Sequence, residues 1–156
     1  MNVLHLFSNC KWTGPAEPAL NLCVALRARG IHADFACAPD AGASINKIVE
    51  TARDRGIEPI LKFHLKKHRH PLFNWLDQRA LSRYLTERPY DLIHCHLDND
   101  HAIAASAAVK QGLPLIRSSY EGGGFTQDTR HKKLLAATHT LIEPSRRALE
   151  HDAEAF

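Results

Sequence analysis

Residues 94–101, His-Cys-His-Leu-Asp-Asn-Asp-His, place three imidazoles and two carboxylates within eight positions. On a strand, His94 and His96 point to the same side. With the carboxylate of Asp98 they could ligate zinc. A catalytic zinc takes three protein ligands, and a further histidine at position 99 would complete a familiar pattern, but that residue is Asn99. The alternative needs no metal: His94 is a hydrogen-bonded core residue and His96 stands at the mouth of the strand. That reading is preferred, and no metal is expected.

Two other loops have comparable potential. Residues 8–15, Ser-Asn-Cys-Lys-Trp-Thr-Gly-Pro, put Thr13 and Gly14 before a helix start, where a small residue lets the backbone approach a phosphate and the helix dipole favours an anion. The same Gly14-Pro15 pair serves equally well as a plain turn. The dinucleotide and P-loop glycine signatures are both absent. Residues 117–124, Arg-Ser-Ser-Tyr-Glu-Gly-Gly-Gly, offer Tyr120 and Glu121 as donor and acceptor. There Gly122, Gly123 and Gly124 permit close ligand approach, or form a connection with no ligand at all. A fourth stretch is basic: Lys66, Lys67 and Arg69 could face anionic lipid or an acidic acceptor, with Phe73 and Trp75 following. Phe73 falls on a helical stripe and reads as core, and charge runs commonly just stay solvated.

The elements that must position these loops alternate. Val3 to Phe7 reads as a first strand, and Ala19, Leu22, Cys23 and Leu26 mark one face of a helix that Gly30 ends. Strands are expected at 33–38, 57–65 (interrupted by Pro59), 92–96, 114–118 and 138–142. Helices lie between them, including a long one with Phe73, Leu76, Ala80 and Tyr84 on one stripe and Asp77, Leu81 and Leu85 beside it. Six strands separated by helices imply right-handed crossovers and a doubly wound parallel β-sheet, an α/β fold with helices on both faces. Ligands bind such sheets beyond the carboxyl ends of the strands. The loops after strands one, four and five are the ones singled out above.

Composition agrees with one globular domain: 156 residues, 44% hydrophobic and 24% charged, with a net charge of +3. That charge gives no argument for nucleic acid as a partner. Cys10, Cys23, Cys37 and Cys95 are widely spaced, which favours reduced thiols and a cytoplasmic location. No stretch is long enough to span a bilayer, so membrane contact is expected to be peripheral.

Taken in order, the segments resemble the acceptor-side half of the family four retaining glycosyltransferases. Residues 1–6 followed by Thr13-Gly14-Pro15-Ala16-Glu17 are similar to the family's first strand and Gly-Gly-Ala-Glu turn. Leu22 to Gly30 is similar to its N-L-A-x-A-L-x-x-R-G helix, and Arg88 to His96 to its R-P-D-x-V-H-x-H segment. Gly112 to Ile116 resembles its G-V-P-V-V entry, and Ala136 to Leu149 the stretch near the end of its first domain. The resemblance implies a GT-B enzyme in which residues 1–156 form one Rossmann-like, acceptor-side domain. A donor-binding C-terminal domain with the family's paired glutamates is not in this sequence. It further implies transfer of a sugar from a nucleotide-sugar co-substrate to a carbohydrate or lipid-linked acceptor, with retention and without a metal or other cofactor. His96, Tyr120 and Glu121 are then the candidate catalytic groups. Thr13, Gly14, Asp98, Asn99, Arg117 and Gly122 to Gly124 are candidate substrate contacts. This fragment alone would be inactive. Where the family has a histidine after its fifth strand and a second glycine in its first turn, this sequence has Tyr120 and Pro15. Two other functions remain open on the residues alone: a binding module without catalysis, and a metal-dependent hydrolase on His94, His96 and Asp98. That last set is similar to the H-x-H-x-D-H of metallo-β-lactamase-like hydrolases.

Overall fold

A computed structural model describes residues 1–39 and 45–156. In chain order its elements are β1 (Asn2–Phe7), α1 (Ala16–Ala28), β2 (His32–Cys37), α2 (Lys47–Asp54), α3 (Pro71–Glu87), β3 (Leu92–Cys95), α4 (Asp98–Gln111), β4 (Leu115–Ser118), α5 (Thr129–Ala136), β5 (Thr140–Ile142) and α6 (Arg146–Ala155). The strands form one parallel sheet in the order β2-β1-β3-β4-β5. This is the doubly wound α/β fold that the alternation predicts.

The expected strand at 57–65 is reduced to a single parallel bridge, Ala36 to Ile60. Ile60 donates to the Phe35 carbonyl and accepts from the Cys37 amide. Pro59 has no N–H to extend the ladder on one side. On the other side the chain leaves the sheet: the amides of His64 and Leu65 donate to the buried carboxylate of Asp77, both at 2.8 Å, and Leu65 adopts a left-handed φ of 41°. The segment still occupies the edge beside β2, where a third strand of a dinucleotide-type sheet would lie.

Alternation along the strands divides the core in two. Val3 and Phe7 face α1 and α2, with Phe35, Cys37, Leu20 and Ile48. Leu4 and Leu6 face α3 and α4, with Leu81, Ile93, Ile103 and Leu115. Truncating a side chain as buried as Leu4 or Leu6 to Ala costs about 2–5 kcal/mol. The alanines of α4, Ala104, Ala107 and Ala108, are fully buried, which lets this helix lie close to both α3 and the sheet. Gly112 closes α4 at φ 65°, and the Leu113 amide returns to the Ala108 carbonyl.

The buried face of α3 is centred on the flank of the predicted stripe, where Asp77, Leu81 and Leu85 lie. Asn74, Asp77, Leu81, Tyr84 and Leu85 point inward. Leu76 and Ala80 are exposed, and Phe73 is only half-buried rather than core. Two polar residues therefore lie on the inner face because each has a backbone or side-chain partner to satisfy there, a preference that an apolar pattern cannot register. The four cysteines are free. Burial pushes the thiols of Cys23 and Cys37 up to about 11 and about 12, and lifts that of Cys95 well above the usual thiol range, so these three behave as small hydrophobes. Among the described residues no helix is long and apolar enough to cross a membrane.

Candidate functional site

The sheet changes winding direction between β1 and β3, and the chain leaves both strands at their carboxyl ends into the loops carrying Asn9 and His96. Asp100, in the first turn of α4, ties these loops together. Its carboxylate accepts from the amides of Ser8 (2.8 Å), His96 (3.1 Å) and Leu97 (3.0 Å), and its own amide donates to the Ser8 hydroxyl at 3.1 Å. Burial raises this carboxyl to about 6, against the opposing pull of Arg117 and of the amides it accepts from.

Above this clamp lies a cleft of about 570 Å³, walled by Asn9, Thr13, Gly14, His96, Asp98, Arg117, Tyr120 and Glu121 among others. Gly14 sits before α1 with open space where a Cβ would project. Pro15, the residue before the first turn, gives no side-chain cap. Pro15 and Pro18 also remove two N–H donors. The start of α1 therefore offers an anion the helix dipole and room for close approach, with few amides.

His96 is fully buried beneath the cleft and links it to the core. Its Nδ1 lies 2.8 Å from the Tyr120 hydroxyl and its Nε2 lies 3.0 Å from His5 Nδ1. His94 Nε2 lies 2.8 Å from the Ser118 hydroxyl. His5 is the unforeseen member: β1 pairs with β3 so that His5 stands directly opposite His94. Burial, with the neighbouring histidines and Arg117 adding to it, depresses His5 to about 3, His94 to about 4 and His96 well below the usual imidazole range. All three are neutral at pH 7.

Ligand atoms of His5, His94 and His96 lie within 4.8 Å of one another, so these three could converge on a metal. The set read from the sequence does not assemble: Asp98 turns instead to Arg117, whose Nη2 donates to it at 2.8 Å. An imidazole binds a metal in its own ring plane, yet the rings of His94 and His96 are stacked at 17° and those of His5 and His96 at 18°. Near-parallel rings aim their lone pairs past one another. The arrangement suits a hydrogen-bonded chain from Tyr120 through His96 to His5 better than it suits a metal.

Arg117, 5% exposed, also lies against the ring of Phe125, while its Nε and Nη1 are buried without a hydrogen-bond partner among the described residues. Tyr120 is half-buried and Glu121 exposed at the rim. Asn99 is not on the cleft wall. Its side chain bonds Asn74 and the Lys66 carbonyl, both behind the cleft. Nor are the three glycines: Gly122 and Gly123 stand in open space, and Gly124, at φ 79°, packs against Asp152. Beyond β5, Glu143 has both carboxyl oxygens buried without a hydrogen-bond partner among the described residues. Burial and its neighbour Asp152 push it up to about 7. Lys66, Lys67 and Arg69 are exposed in a loop that adjoins the cleft.

Residues 13–155 match the family described as "Glycosyl transferase 4-like domain". This chain belongs to that family. Solved structures similar to this glycosyl transferase 4-like domain share its fold. A UDP-N-acetylglucosamine 2-epimerase superposes with a TM-score of 0.76 at 14% identity, covering 99% of this chain and 44% of the other. The lipopolysaccharide outer core galactosyltransferase WaaB gives 0.71 at 14% identity, covering 99% and 42%. Anabaena Alr3699/HepE, solved in complex with UDP and glucose, gives 0.71 at 17% identity, covering 99% and 41%. The domain thus spans a little over two fifths of the length of each. No curated protein matches the sequence. The fold is that of the N-terminal domain of a GT-B glycosyltransferase.

Proposed function

We infer that this domain binds the acceptor in a glycosyltransferase that takes its sugar from a nucleotide-sugar donor, and that the other wall of the cleft belongs to a donor-binding domain. The observation that carries this reading is the gathering of Gly14, His96, Arg117 and Tyr120 around one cleft at the carboxyl ends of β1, β3 and β4 in a chain of this family. Retention, and catalysis without a metal, follow the resemblance.

The chemical task is to offset charge that builds on the leaving diphosphate in a dry cleft. The histidine chain bears on this. If Tyr120 donated its proton to His96 Nδ1, His96 Nε2–H would donate to His5 Nδ1, and His5 Nε2–H would be a buried donor with no acceptor among the described residues. In the reverse sense only a lone pair on His5 Nε2 goes unmet, which costs less than an orphaned N–H. His96 Nδ1–H then donates to Tyr120, and the Tyr120 hydroxyl is free to donate into the cleft. Tyr120 thereby becomes the donor aimed at developing negative charge, with His96 and His5 fixing its direction. Glu121, at the rim, is placed to accept from an acceptor hydroxyl.

The test is nucleotide release by the intact protein from a panel of nucleotide sugars, with and without sugar acceptors and after treatment with EDTA. Acceptor-stimulated, EDTA-insensitive release is expected. Tyr120→Phe should lower turnover on the order of 100-fold, the usual effect of removing one preorganised donor. Conversion of UDP-N-acetylglucosamine to its 2-epimer without any acceptor would replace this reading.

A further inference from the structure

Beside the cleft, and sharing Asn9, Lys67 and His68 with its wall, lies a second groove of about 470 Å³. Its lining holds four cations, Lys11, Lys66, Lys67 and Arg69, and among the described residues no carboxylate. Among the described residues none of the four forms an ion pair. Unpaired cations also occur elsewhere on the surface, Arg29, Lys110 and Lys132 among them, so it is the gathering of four around one groove that marks this place.

A solvated charge run has no need of a scaffold, yet this one is held at several points. Asp77, 1% exposed, takes the His64 and Leu65 amides. Asn99 donates to the Lys66 carbonyl at 2.7 Å, and the His70 amide donates to Asn74. Leu65 is kept at φ 41°, a conformation that costs a non-glycine residue and persists where the surroundings impose it. The inner face of α3 thus gives up two apolar positions, Asn74 and Asp77, to fix the loop. On the opposite wall Asn9, 3% exposed, spends its Oδ1 on the Cys10 and Lys11 amides. Its Nδ2 makes no hydrogen bond among the described residues. The start of α3 borders the same groove through His70 and Phe73, adding the positive end of a 17-residue helix.

We propose that this groove binds a phosphate or pyrophosphate group carried by the acceptor, so that the acceptor's anionic end sits on Lys66, Lys67, Arg69 and Asn9 while its hydroxyl reaches the cleft at Tyr120. The assignment rests on the acceptor-side reading above. It narrows the substrate class to phosphorylated acceptors.

The test titrates the intact protein with inorganic pyrophosphate in the presence of saturating UDP, followed by amide NMR shifts. Binding should perturb residues 9–11 and 66–70 and weaken with added salt. Lys66→Glu combined with Arg69→Glu should lower the affinity on the order of tenfold or more, with the thermal midpoint unchanged because both side chains are exposed. Shifts confined to residues 13–17, outright competition by UDP, or affinity unaffected by the double reversal would each overturn the proposal. Sedimentation with phosphatidylglycerol and phosphatidylcholine vesicles separates the two sources of phosphate. Binding to the first alone, lost in the double variant, assigns a lipid-linked acceptor. Pyrophosphate binding with no vesicle binding assigns a soluble phosphorylated one. UDP affinity, measured by itself, reports on the donor reading independently: UDP that binds while pyrophosphate does not sinks only the groove.

Discussion

Lowering the pH from 7.5 to 5.5 should destabilise this domain far more than its mild net charge suggests. His5, His94, His96 and His101 are buried, and all are held neutral in the fold, His5 and His101 at about 3, His94 at about 4 and His96 well below the usual range. In the unfolded chain each returns to roughly 6.5. Below that pH the unfolded state takes up protons that the folded state refuses, so stability is fully present above 6.5 and falls as the pH drops. Each histidine contributes a loss of about 1.4 kcal/mol between pH 7.5 and 5.5, or about 5.5 kcal/mol for four. Two carboxyls act in the opposite direction. Asp100 and Glu143, raised to about 6 and about 7, hold protons in the fold that the unfolded chain has released. Asp100 returns about 0.8 kcal/mol at pH 5.5. Glu143 is only half-buried, and solvent screening limits its share to a similar size. The net loss is about 3–4 kcal/mol, a large part of the 5–15 kcal/mol typical of a domain. Urea denaturation read by tryptophan fluorescence should show the midpoint falling by about 1.5–2 M, given a slope near 2 kcal/mol per molar. In His101→Gln the pH-dependent loss should shrink by about 1.4 kcal/mol. A change below about 1 kcal/mol across this range, or an unchanged slope in the variant, would refute the assignment of neutral buried imidazoles.

Three further outcomes follow from particular contacts. Gly124→Ala places a Cβ within 2.5 Å of Asp152 Oδ1 and His151 Nδ1 at a φ of 79°, so it should lower stability by roughly 2 kcal/mol or more, seen as a drop in the melting midpoint. Asp77→Ala strips the His64 and Leu65 amides of their acceptor, should cost about 1–3 kcal/mol, and should raise hydrogen exchange at 64–70. Gly14→Ala meets no atom within 4 Å and should leave stability within about 0.5 kcal/mol while weakening donor turnover. Wild-type turnover in that variant would separate Gly14 from the diphosphate.

The alternation of β1 and β2 and the helix stop at Gly30 are plain in the sequence because local pattern and burial agree there. The bridge at Ile60 was not legible. Residues 57–65 have strand composition, and what ends the strand is Asp77, a dozen positions away on α3. The inner face of α3 is legible in part: Leu81, Tyr84 and Leu85 follow the apolar pattern, while Asn74 is buried and Leu76 and Ala80 exposed because of partners that only the fold supplies. At the site, Gly14, His96, Arg117 and Tyr120 could be picked out because each lies at the carboxyl end of a strand or in the loop that follows one. His5 could not. It interrupts an apolar run as any tolerated polar residue might, and acquires meaning only through the register that sets it opposite His94. Glu143 likewise follows a short strand in a segment with no other functional signal. The missing information is long-range pairing, and an apolar period of two or of 3.6 does not encode it.

The position of β1 also constrains when the domain can form. This strand begins at Asn2 but lies between β2 and β3, and its pairing of Val3 with Leu92 closes only after about ninety more residues have been made. At roughly 5–20 residues per second of synthesis, the apolar side chains of Val3, Leu4, Leu6 and Phe7 wait about 5–20 s for their second neighbour. Both the cleft floor at His96 and the Asp100 clamp on Ser8 depend on that late arrival. On the ribosome, therefore, the emerging first half can bury β1 against β2 and α1 alone, and the functional end of the sheet cannot become native until the second half has begun to emerge.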